Sequence, residues 1–178
     1  MRHIKFILIT ILVAGLLNVC ACSSVSSMPK IEGSYTYEHA FSYDMDGNHF
    51  DVHETGTMDF YADSTALDSA RQVYTVRFPE GDSETIVFNY ISPSRWHLDN
   101  DTLFFAGIKD SFRMEALECG EKSLTIAQKI IAVYSNGIDH EYRFHLDTLT
   151  DDRLQWSFTY RDGHSDTWQF YRQENKKH

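Results

Sequence analysis

From Gly33 onward, apolar and polar residues alternate. In "RLQWSFTYR", Leu154, Trp156, Phe158 and Tyr160 face one way while Arg153, Gln155, Ser157 and Thr159 face the other. A period of two marks a strand with one buried and one wet face. "EYRFHLDTLT" repeats the pattern with Tyr142, Phe144 and Leu146, and "GSYTYEHAFSY" sets Tyr35, Tyr37, His39, Phe41 and Tyr43 on a single face. Turn signals separate these runs: "DMDGN" (44–48), "YADST" (61–65), "PEGDS" (79–83), "LDND" (98–101), "ECGE" (118–121), "SNG" (135–137), "TDD" (150–152) and "RDGH" (161–164). Eight turns leave about nine strand-length slots, the grammar of an antiparallel meander. "SLTIAQKIIAVYS", Ser123 to Ser135, is assigned to a strand for its β-branched residues, although "AQKIIAVY" would also suit a short helix over a barrel end. A long meander has two open edges, and closing it removes them. Long slots with tight turns favour an up-and-down β-barrel over a Greek-key sandwich, so the expected fold is all-β, an antiparallel barrel of about 8–10 strands. Gly33 and Gly56 are expected bend points.

Ahead of the meander the pattern changes. Arg2 and Lys5 precede an apolar run, Phe6 to Val19, with no acidic residue before Glu32. This is the order of a secretory signal peptide, and the run is short of the ~20 residues of a spanning helix. "VCAC", Val19 to Cys22, resembles the lipobox of bacterial lipoproteins, with an aliphatic residue three places before the cysteine and alanine just before it. The resemblance implies a signal peptide over 1–21, lipidated Cys22 as the first mature residue, and loss of Cys20 with the leader. The alternative is an ordinary secreted protein with a free Cys22 thiol. Several acyl chains anchor a protein durably without spanning the bilayer. "SSVSSMP" then reads as a tether within residues 22–30, ahead of a barrel domain over 31–174 and a short tail, 175–178. No acidic cluster follows Cys22, which favours the periplasmic face of the outer membrane over the cell exterior.

The mature chain resembles the lipocalin-like domain of small bacterial lipoproteins. The matching stretches are "IEGSY" (31–35), "WHLDNDTLFF" (96–105), "LTDDRLQW" (149–156) and the closing "WSFTYRDGHSDTWQFYR" (156–172). Lipocalins proper open with glycine, any residue and tryptophan, whose ring packs under an arginine of the last strand. Here Tyr35 holds the tryptophan position and Arg172 is the candidate arginine, a barrel-closing pair. That departure weakens any inferred retinoid or bilin ligand. The resemblance still implies a barrel that could enclose an apolar molecule.

Charge narrows the partners. The whole chain carries −10, and loss of Arg2 and Lys5 leaves 14 basic against 26 acidic residues, a net charge of −12. Such a surface excludes nucleic-acid binding and argues against contact with anionic headgroups beyond the acyl tether. With Cys20 removed and Cys22 acylated, Cys119 stands alone, so no intrachain disulfide forms; it reads as a small packed residue at a turn.

Candidate chemistry is sparse. Tyr35, Tyr37, Phe60, Phe88, Phe144, Trp156, Phe158 and Trp168 share the inward phase, as does His39, and could line a ligand cavity or simply fill the barrel. Glu54 shares the phase of Phe50, Val52 and Met58. An inward carboxylate is costly unless partnered, so Glu54 is either a polar anchor or internal ion pair, or is turned outward by a bulge near Gly56; the bulge is the favoured reading. His49, Asp51 and His53 in "GNHFDVHE" lie on one face at about 6.6 Å intervals. The three cannot close a tetrahedral metal site unaided, and they face water; no metal or cofactor is expected. In "DMDGN" the glycine comes too early for an EF-hand. No His-Glu-x-x-His, Gly-x-Ser-x-Gly, phosphate-cradling loop or Cys-x-x-Cys is present, and no catalytic residue is assigned. Two functions remain: a lipid-anchored barrel holding a small apolar or amphipathic ligand, with His39 or a tyrosine hydroxyl orienting it, and an envelope lipoprotein that binds a protein partner, as assembly factor or hydrolase inhibitor, with the barrel as scaffold.

Overall fold

The computed structural model describes residues 30–138, 140–160 and 163–173. The expected signal peptide, Cys22, the expected tether through residue 29 and the expected tail lie outside the described residues. The strands are β1 (Gly33–Met45), β2 (Asn48–Phe60), β3 (Thr65–Arg77), β4 (Ser83–Asp99), β5 (Thr102–Gly107), β6 (Arg113–Glu118), β7 (Glu141–Leu149), β8 (Arg153–Thr159) and β9 (Ser165–Arg172). One helix, α1 (Leu124–Gly137), interrupts them between β6 and β7.

All pairings are antiparallel, and eight strands close on themselves in the order β1-β2-β3-β4-β5-β7-β8-β9-β1. The predicted turns at 44–48, 61–65, 79–83, 98–101 and 150–152 join consecutive strands, and "RDGH" connects β8 to β9. Asp46 and Gly47 both have positive φ, 53° and 79°, as a two-residue type I′ hairpin requires. β6 is the extra strand. The 17-residue β4 pairs along one edge with β3 and divides its other edge, giving Ser94–Asp99 to β5 and Val87–Ile91 to β6.

The closure between β1 and β9 is short. Tyr35, Thr36 and Tyr37 pair with Arg172, Tyr171 and Phe170, and beyond that point β1 continues to Met45 without β9. α1 packs against the exposed flank: Ala127 and Ile130 are buried in a cluster with Phe50, Val52, Tyr74 and Phe88, and Phe41, Tyr43 and Met45 of β1 pack against it. The strand expected over 123–135 is therefore a helix. Ile126, Ala127, Ile130, Ile131 and Tyr134 recur at three- and four-residue spacing and form one face toward the barrel. Glu84 of β4 fixes its start, accepting from the Ser123 amide at 2.9 Å and the Ser123 hydroxyl at 2.6 Å. An anion suits the positive end of the helix dipole. "SNG" accordingly ends α1 and is not a hairpin turn. Cys119 is exposed, not packed, with its thiol 3.4 Å from the Ser123 hydroxyl.

The interior holds two apolar clusters. Tyr35, Phe60, Leu103, Leu154, Trp156 and Phe170 fill the end where β1 meets β9, and Phe50, Val76, Ile86 and Phe88 fill the end beneath α1. Between them, every inward phase of β1 to β4 carries a polar group: Tyr37, Glu54, Asp68 with Gln72, and Tyr90.

Candidate functional site

That polar belt starts with Glu54, which is buried and points into the barrel. The expected bulge is absent: β2 pairs with β1 and β3 in unbroken register through Thr57 and Gly56. Gly56 has a different purpose. A Cβ there would lie 2.7 Å from Cζ of Tyr37 and 2.8 Å from Cβ of Ala70, so the missing side chain makes room for the Tyr37 ring. Tyr37 can then reach across the interior. Its hydroxyl lies 2.7 Å from Glu54 Oε1, 2.8 Å from Asp68 Oδ1 and 3.1 Å from the Tyr90 hydroxyl. The Tyr90 hydroxyl lies 2.6 Å from Glu54 Oε1 and 2.7 Å from Asp68 Oδ2. Gln72 donates to Glu54 Oε2 at 3.1 Å and to the Tyr134 hydroxyl of α1 at 3.1 Å, and accepts from Tyr74 at 3.2 Å.

Two carboxyl groups thus share two phenols. Although the Asp68 residue as a whole is only partly buried, its carboxyl is enclosed; burial first and the neighbouring Glu54 charge second push it up to about 7, against the lowering effect of the Tyr90 and Tyr37 hydroxyls. Burial, reinforced by the two acids, holds Tyr37 and Tyr90 far above the usual phenol range, so both remain donors. Among the described residues, neither carboxyl pairs with a lysine or arginine.

Beside this cluster lies a cavity of about 240 Å³, walled on the apolar side by Met58, Phe105, Phe144, Trp156, Trp168 and Phe170 and on the polar side by Glu54, Asp68, Gln72 and Tyr90 with Ser92 and Ser94. An adjoining hollow of about 390 Å³ shares Asp68, Tyr90 and Phe144 with it and runs past Phe112 to the exposed Val133 and Tyr142. The entrance therefore lies along the C-terminal half of α1.

Of the aromatic candidates, Tyr37, Phe144, Trp156 and Trp168 line this cavity. Tyr35 and Phe60 are packed in the closed end, their rings edge-to-face at 5.9 Å. Phe88 sits in the other cluster against Tyr74, 5.3 Å away. Phe158 packs on Phe144 and Tyr160 outside the lining. His39 lies at the seam where β1 leaves β9, 4.5 Å from Trp168 and 5.3 Å from Phe41, and does not reach the cavity. Its Nδ1 is buried without a partner, and burial lowers its pKa, partly offset by Glu54 and Asp166. The pair Tyr35 and Arg172 does meet. The guanidinium lies 4.8 Å over the Tyr35 ring and donates to its hydroxyl and to the Lys30 carbonyl at 2.5 Å each and to the Glu32 carbonyl at 2.7 Å.

His49 and His53 form separate surface pairs, His49 with Asp44 at 2.8 Å and Asp51 at 3.4 Å, and His53 with Glu38 at 2.7 Å. Sequence reasoning missed Asp68, Gln72, Tyr90, Phe105, Tyr134 and Phe170. The signal for Asp68 and Gln72 is present in "TALDSARQVYTVR", where Ala66, Asp68, Ala70, Gln72, Tyr74 and Val76 share the inward phase of β3. No protein-family model matches the chain, and no curated protein matches it either.

Proposed function

We propose that this protein is a lipid-anchored cell-envelope lipoprotein of lipocalin-like fold that binds a small apolar or amphipathic molecule inside its barrel. The observation that carries the reading is the cavity between the polar belt and the Phe144, Trp156, Trp168 wall, apolar on most sides with a few convergent polar groups. Its size sets the ligand. At ~30 Å³ per water-sized unit, 240 Å³ admits a body of roughly eight to ten non-hydrogen atoms beside the acids, and a longer guest would extend into the adjoining hollow toward Val133 and Tyr142. The role is binding without catalysis. The address rests on the leader and the "VCAC" lipobox, and the lack of an acidic cluster after Cys22 supports the periplasmic face of the outer membrane. Exposed Leu117, Leu124 and Val133 along β6 and α1 favour a second reading, in which the barrel is a scaffold for a protein partner.

The full chain, expressed in a bacterial envelope and released in mild detergent, is examined by native mass spectrometry. A stoichiometric small mass, lost on denaturation, is expected. A bare polypeptide mass that stays unchanged after incubation with envelope extract, together with one reproducible cross-linked partner, would move the function to the outer surface. For the address, Cys22→Ser is expected to lose the protein from the membrane fraction; unchanged fractionation contradicts lipidation.

A further inference from the structure

We propose that the cavity selects a small organic cation, an ammonium on an apolar body of about eight to ten non-hydrogen atoms, with its nitrogen at the Glu54 and Asp68 carboxylates and its body against Phe144, Trp156 and Trp168. The inference rests on the container reading above and supplies the head group that reading leaves open.

Donor arithmetic is the first support. Tyr37, Tyr90, Glu54 and Asp68 make five short oxygen contacts; the two phenols bring two hydrogens, and Asp68 brings a third only while it is protonated. Gln72 adds one donor at the far oxygen of Glu54. The cluster is thus rich in acceptors, and an ammonium brings three donors to it. Charge is the second. Two carboxyls enter one cavity with no lysine or arginine paired to them among the described residues, so a cationic guest compensates Glu54 and favours ionisation of Asp68, where an anionic guest meets a like charge. The wall is the third and is independent of the acids. Phe144, Trp156 and Trp168 line the same 240 Å³ and give the apolar body of the guest a surface to pack against while its nitrogen meets the acids. His39 at the seam is outside the lining, and burial disfavours its charged form.

Three probes of one shape separate the possibilities: cyclohexylmethylammonium, cyclohexylmethanol and cyclohexanecarboxylate, titrated into the full-length protein in detergent with empty micelles as blank. Calorimetry gives the affinity, and tryptophan emission, compared between the protein and a Trp96→Phe variant, reports whether Trp156 and Trp168 sense the event. The ammonium is expected to bind about tenfold or more tighter than the alcohol, the scale of one desolvated charge-assisted contact, and the carboxylate more weakly than either. Glu54→Gln with Asp68→Asn, shown to be folded by circular dichroism and urea unfolding, is expected to bring ammonium affinity down to that of the alcohol, and an ammonium preference that persists in the folded variant overturns the inference. Alcohol or carboxylate binding as tight as the ammonium in the unchanged protein overturns the cation inference and leaves the container reading standing. Absence of binding by all three overturns both.

Discussion

Replacing Asp68 with asparagine is expected to stabilise the protein at alkaline pH and to leave it unaffected in acid. Asparagine keeps the shape of the side chain and can still accept from Tyr37 or Tyr90, but it cannot ionise. In the native barrel the Asp68 carboxyl titrates at about 7, against 3.8 in the open chain, because burial and the Glu54 charge disfavour its anion. The folded state therefore holds one more proton than the unfolded state between those values. Stability is greatest below the unfolded value and falls as pH rises, by ~1.4 kcal/mol per unit, until the folded value is passed. Between pH 5 and pH 8 the loss is about 3 kcal/mol, a large share of the stability of an ordinary domain. Urea unfolding at pH 5, 6, 7 and 8 measures it. The stability of the wild type minus that of the variant should fall by that amount across the series and level off above pH 7. A difference constant with pH would refute the buried, shared-proton account of the cluster, and one that grows with pH would mean that the fold stabilises the Asp68 anion.

Three further substitutions probe other parts of the structure. Gly56→Ala puts a methyl against the Tyr37 ring, Ala70 and the Ser69 carbonyl, all under 3 Å; it should cost about 1–3 kcal/mol in urea unfolding and weaken ligand binding by displacing the Tyr37 hydroxyl. Arg172→Ala leaves the Tyr35 hydroxyl and the Lys30 and Glu32 carbonyls without their guanidinium donor, and should lower stability by about 1–3 kcal/mol; a change within ~0.5 kcal/mol would mean that Arg172 does not hold the β1–β9 closure. His39 is depressed by burial, so its contribution is complete above the ordinary histidine value near 6.5 and is lost as pH falls below it. His39→Gln should therefore lose less stability than wild type between pH 6.5 and pH 5, and parallel curves would show that the ring is solvated.

The barrel was legible because its signal is local. Leu154 with Trp156, and Tyr35 with Tyr37, fall in the inward phase by simple alternation and are buried as that phase requires. α1 was hidden because Ile126, Ile130 and Ile131 satisfy a β-branched run as well as a helical stripe; the choice is made by tertiary contacts with Phe41, Tyr74 and Phe88, remote in sequence. Glu54 shows the same limit. Its phase pointed inward, but the cost of an unpartnered carboxylate argued for a bulge, and the partners that offset the cost, Tyr37, Gln72 and Tyr90, come from three other strands. Alternation also cannot separate wall from filling. Trp156 and Phe60 share one inward character, yet one faces the cavity and the other is closed off against Tyr35 and Trp96. The Tyr35–Arg172 contact joins residues 137 positions apart and was anticipated only through the resemblance of "IEGSY" to a lipocalin opening.

The central claim is that the barrel is hollow beside its polar belt and holds a guest there. A crystal structure of the protein as purified from the cells that express it tests this most directly. The account predicts continuous density, unconnected to the chain, between the Glu54–Asp68 carboxyls and the Trp156 ring. Trp168 or Tyr142 swung inward to fill that space with the chain's own atoms would contradict it.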